Sequence, residues 1–90
     1  MKKETFELLA KTYLRNFARN EFTADELVGL LRLSEQRLSK PTMFRFGKDN
    51  TILYTVNEIE QDLMYSTQTN RDLLKESIEY ACEKNEIIIY

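Results

Sequence analysis

Phe6, Leu9, Ala10, Tyr13, Leu14 and Phe17 recur at the i, i+3, i+4, i+7, i+8, i+11 spacing of one helix face, which predicts a helix from Lys3 to Arg19 with that face buried. The other face carries Lys11, Arg15 and Arg19 at four-residue spacing, and Asn20 is placed to stop the helix. Thr23-Ala-Asp-Glu26 has the spacing of a capping box. Phe22 before the cap and Leu27 after it can form a hydrophobic staple, so a second helix is expected from Ala24 to about Leu31. Leu33-Ser34-Glu35-Gln36-Arg37-Leu38 repeats the staple and cap and predicts a third, short helix. Pro41 limits its length by disfavouring helix at Lys40.

Met43-Phe-Arg-Phe46 and Thr51-Ile-Leu-Tyr-Thr-Val56 are rich in strand formers and flank Gly47-Lys-Asp-Asn50, which predicts a β-hairpin. Period-two alternation turns Phe44, Phe46, Ile52, Tyr54 and Val56 inward and leaves Arg45 and Lys48 outside. Asn57-Glu-Ile-Glu60 is expected to cap a helix running to about Tyr65. Ser66 to Asn70 reads as a linker. A last helix, Arg71 to Lys84, would bury Leu74, Ile78, Ala81 and Cys82, with Leu73 and Tyr80 beside that face. Asn85 would end it in the left-handed conformation before a strand, Glu86 to Tyr90.

Composition narrows the chemistry. Ninety residues, 42% apolar and 31% charged, form one small domain or a domain with an appendage. A chain this short buries about 60 to 65% of its unfolded surface, so association is a common supplement to a thin core. A single cysteine closes no internal disulfide. Without histidine, the common zinc ligand sets and the Ser-His and Cys-His nucleophile pairs are missing. Two glycines make no phosphate-cradling loop. No catalytic residues, metal ligands or cofactors are assigned, and the expectation is a protein that is not an enzyme. Glu58 and Asp62, one turn apart, read as a solvated face, and Cys82 as a small core residue. No apolar run approaches the ~20 residues of a membrane span, so a soluble, cytoplasmic protein is expected.

Charge is divided unevenly. Residues 1–48 hold ten Lys/Arg against six acids, whereas residues 49–90 hold three against nine, within a net charge of −2. The segment 32–48 alone carries Arg32, Arg37, Lys40, Arg45 and Lys48 against one acid, Glu35. Local charge matters more to a partner than the total, because screening limits its reach to about 8 to 10 Å.

Glu26 to Lys40 is similar to a helix-turn-helix signature: a Leu and a small residue in the first helix, a Leu before the turn, then an apolar residue and Ser entering the second helix. Met43-Phe-Arg-Phe-Gly-Lys48, Ile52-Leu-Tyr54 and Asn57-Glu-Ile-Glu-Gln-Asp-Leu63 continue it and resemble the wing and closing helix of the MerR-like and excisionase-like group of winged helix-turn-helix proteins. The likeness spans residues 22–64. It implies an α+β, mostly helical fold with a winged-helix-like domain over residues 1–66 (helix, helix-turn-helix, β-hairpin wing, helix). Residues 67–90, a helix and a short strand, would be a packing or dimerisation appendage.

The resemblance implies a small DNA-binding regulator, transcriptional or excisionase-like, reading double-stranded DNA with helix 34–40 and hairpin 43–56. Arg37 would meet guanine and Gln36 adenine, Ser34 would hold a phosphate at the helix start, and Ser39 and Lys40 would also face the major groove. Arg32 would contact phosphate near the turn, and Arg45 and Lys48 the backbone or minor groove. Five such cations give a salt slope of at most about −4 to −5. Residues 70–90, with Ile87-Ile88-Ile89, are the homodimer candidate. The alternative is a protein-binding adaptor or inhibitor on a winged-helix frame, its acidic second half docking a basic partner; the short helix before Pro41 and the negative total charge support it.

Overall fold

The first helix forms where the periodicity places it. In the computed structural model, which describes all 90 residues, α1 runs Lys3–Ala18 and buries Phe6, Ala10, Leu14 and Phe17. α2 runs Ala24–Leu38 behind the expected capping box: Thr23 Oγ1 accepts the Glu26 amide at 3.2 Å and Glu26 Oε1 accepts the Thr23 amide at 3.1 Å. Phe22 packs against Tyr13, with ring centroids 6.3 Å apart.

α2 is continuous through residues 31–34, so the helix-turn-helix expected over 24–40 does not form there. Ser34, expected to cap a separate helix, lies mid-helix and is only 4% exposed. Leu27, Leu31, Ser34 and Leu38 share one face of a single helix, and no glycine or proline interrupts residues 30–38. Extending an existing helix costs far less than nucleating a new one, so the second cap signal is overrun. Ser39, at φ 59°, ends α2 in the left-handed region just before Pro41. Glu35 Oε2 then fixes the exit by accepting the Thr42 amide at 3.0 Å and the Thr42 hydroxyl at 2.8 Å.

The predicted hairpin is reduced to its base. β1, Phe44–Phe46, meets the second arm only at Tyr54, through paired backbone bonds of 2.7 and 2.8 Å. Ile52, expected inward, is 55% exposed. The main partner of β1 is instead β2, Ile87–Ile89, antiparallel with Phe44 opposite Ile89, Arg45 opposite Ile88 and Phe46 opposite Ile87. Three consecutive β-branched residues make a better ladder than the Asn50–Leu53 segment, where Asn50 Oδ1 accepts the Ile52 amide at 2.9 Å and turns the chain aside.

α3, Val56–Glu60, is capped two residues earlier than expected. Thr55, not Asn57, forms the capping box, with Glu58. The helix continues as a π-helical turn, Gln61–Tyr65, closed where the Ser66 hydroxyl donates to the Asp62 carbonyl at 2.6 Å. The expected linker shrinks to Ser66-Thr67. Thr67 accepts the Asn70 amide at 3.2 Å and starts α4, Gln68–Lys84, which Asn85 ends at φ 54°.

Four helical segments and one two-stranded antiparallel sheet make an α+β, mostly helical fold. α1 lies against α2 and α4, α3 lies against α2, and the sheet rests on α4. Phe6, Phe44, Phe46 and Tyr54 form an aromatic chain through the centre, with successive centroids 5.8 to 6.3 Å apart. The last 24 residues supply Leu74, Ile78, Ala81 and Ile87 to the same core as the amino-terminal helices, so they pack rather than extend away.

Candidate interaction surface

The cations of residues 32–48 depend on where α2, β1 and the following loop place them. Arg32 leaves α2 toward α3, where one guanidinium nitrogen donates to Glu60 Oε1 at 2.6 Å and Asn57 Oδ1 at 2.9 Å. Gln36, Arg37 and Lys40 are exposed at the carboxyl end of α2. Ser39 is exposed beside them, its hydroxyl weakly bonded to the Gln36 carbonyl at 3.4 Å. The buried Ser34 is withdrawn from any phosphate, correcting its expected role. Arg45 points to the side of the sheet opposite Phe44 and Phe46, half-buried across from Ile88, with its Nε buried and unpartnered. Lys48 is exposed in the loop, where its amide donates to Glu86 Oε2 at 3.2 Å. Arg37 and Lys40 therefore share one end of α2, while Arg32 is paired with Glu60 from the second half of the chain and Lys48 lies apart, in the loop after β1.

α4 sorts its charges by side. The Lys75 ammonium turns toward α1, 2.6 Å from Asn20 Oδ1 and 5.6 Å from the Phe17 ring centroid. Half-buried Arg71 donates to Gln68 Oε1 at 2.8 Å. Asp72, Glu76 and Glu83 are exposed. The outward face of α4 is consequently more acidic than basic, Lys84 being its one exposed cation, and it also shows Leu73 and Tyr80, 57% and 54% exposed.

These two residues line an open cleft of about 700 Å³ between α4 and residues 46–50, whose lining also includes Phe46, Asp49, Glu76 and Glu86. Gly47, at φ 95°, gives the chain the left-handed bend that carries it around the end of the sheet. The sequence pattern pointed only obliquely to this surface. Leu73 and Tyr80 widen the apolar stripe of α4 beyond what one packed neighbour covers, and Asp49 and Glu86 reach the cleft only through strand pairing.

A smaller recess between α1 and α4 holds Arg15, Arg19, Glu79, Glu83 and half-buried Cys82. Burial pushes the Cys82 thiol above its ordinary value, against the opposing pull of Arg15 and Arg19. No cluster of three or more His, Cys, Asp or Glu side chains is placed to hold a metal ion, and no helix is long and apolar enough to cross a membrane. No family model, curated protein or solved structure matches the chain.

Proposed function

We propose that the protein is a binding module of the adaptor or inhibitor kind, whose acidic second half docks a basic partner protein. The observation that carries this reading is the sorting of charge on α4: Asp72, Glu76 and Glu83 face outward, while Lys75 is tied to Asn20 and Phe17. From Thr55 to Tyr90 the chain holds eight carboxylates against three cations. Such a surface repels phosphate, whose neutralisation supplies most of the affinity for nucleic acid, and attracts lysine and arginine.

The DNA reading is the second one, and a different feature favours it. α3 with its π-helical turn is joined to α4 by the two residues Ser66-Thr67 and flanked by the paired strands β1 and β2, a strand–helix–turn–helix–strand order that resembles a winged helix-turn-helix. In that reading α4, and not residues 34–40, is the groove-facing helix, presenting Gln68, Thr69 and Asn70 from its first turn.

Titration of the chain with mixed-sequence duplex and with oligolysine, at about 50 mM salt where electrostatic binding is strong, separates the two. The proposal expects oligolysine to perturb the backbone amides of α4 and the duplex to leave the spectrum unchanged. Saturable duplex binding that weakens steeply with salt, together with a flat response to oligolysine, overturns it.

A further inference from the structure

We infer that the cleft between α4 and residues 46–50 is the seat for a short amphipathic peptide segment, one apolar side chain flanked by lysine or arginine. This rests on the protein-binding reading above and assigns its site and ligand chemistry.

Leu73 and Tyr80 are seven residues apart, two helical turns, and so lie on the same side of α4. Single exposed apolar residues are ordinary, but two large ones that line one concavity together with Phe46 give it an apolar side. The surrounding charges select the flanking residues. Asp49, Glu76 and Glu86 outnumber Lys48 and the neighbouring Lys84, and Glu86 is held in place by the Lys48 amide on Oε2.

The Tyr80 ring already carries a cation: Lys84 Nζ lies 5.9 Å from its centroid. An incoming lysine or arginine can take up the same cation–π position while its neighbour enters the cleft. A phosphate-bearing strand finds no donor cluster here, and an acidic peptide meets like charge on three sides.

The test uses the whole chain and two acetylated, amidated peptides of equal length and charge, one of lysine and leucine, the other of lysine and serine. The leucine peptide is expected to bind about tenfold more tightly, with amide NMR shifts confined to residues 46–50 and 73–80. Leu73→Ser with Tyr80→Ser is expected to abolish that difference. Both side chains are exposed, so core amide shifts report whether the fold is kept; should it be lost, Glu76→Gln serves instead, with weaker binding of both peptides expected.

Equal affinity for the two peptides overturns the cleft as an apolar seat while leaving the acidic-face reading standing. Binding of neither overturns both. Shifts centred elsewhere overturn the cleft. A concentration-dependent rise in mass that Leu73→Ser removes would make a second copy of this chain the occupant and overturn the peptide assignment.

Discussion

The guanidinium of Arg32 lies 2.6 Å from Glu60 Oε1 and 2.9 Å from Asn57 Oδ1, so one α2 cation fastens α3 through the two residues that resemble a capping pair in sequence. The side chains are 39% and 24% exposed, so water screens part of their attraction. A double-mutant cycle of Arg32→Ala and Glu60→Ala in urea should give a coupling of about 1 kcal/mol, shrinking in high salt. A coupling indistinguishable from zero at low salt contradicts a fastening role.

Phe44 is fully buried between Phe6 and Phe46, whereas Ile52 is 55% exposed. Phe44→Ala should cost about 3 to 5 kcal/mol in chemical denaturation, and Ile52→Ala no more than about 0.5 kcal/mol. A large loss at Ile52 would mean that the second hairpin arm packs inward after all.

Ser39 holds φ 59° at the end of α2, a region that costs a residue with a Cβ about 1 to 2 kcal/mol. Ser39→Gly relieves that strain and gives some of it back as added freedom of the unfolded chain. The denaturation midpoint should rise by an amount worth about 0.5 kcal/mol, and a fall would show that the hydroxyl bond to Gln36 outweighs the backbone term.

Burial first, and then the nearby carboxylates of Asp62 and Glu58, push the Tyr54 hydroxyl above its ordinary value of 10.0. The folded state thus holds this proton more tightly than the unfolded chain does. The resulting stability is fully present below pH 10.0 and is lost as pH rises through the elevated folded value. Urea midpoints measured into the alkaline range should fall less steeply for Tyr54→Phe than for the parent chain; identical slopes would remove Tyr54 from the alkaline transition.

Much of the local architecture was readable along the chain. The buried face of α1, the Thr23–Glu26 box, the left-handed stop at Asn85 and the inward Phe44 and Phe46 all depend on residues within a turn or two of one another. The two displaced helix caps share a cause. Ser34 and Asn57 carry valid cap chemistry, yet each lies inside a helix because a neighbouring start, Thr23 or Thr55, was already in place. Local signals rank candidate starts poorly when two of them compete for one stretch of chain.

The candidate surface was less legible than the fold. Arg32, Arg37, Lys40, Arg45 and Lys48 form a cluster in sequence, but helix rotation and strand alternation send Arg32 to Glu60 and Arg45 to the outer side of the sheet, and leave Lys48 in the loop after β1. Periodicity and caps settled the course and buried face of α1, the start of α2 and the end of α4, because those are short-range properties of backbone sterics and apolar spacing. Only the tertiary structure decided that Phe44–Phe46 pairs with Ile87–Ile89 across forty residues, and that Asp49, Glu76 and Glu86 gather around Leu73 and Tyr80. Such long-range pairing is selected by the burial it makes possible throughout the core, which no window of sequence contains.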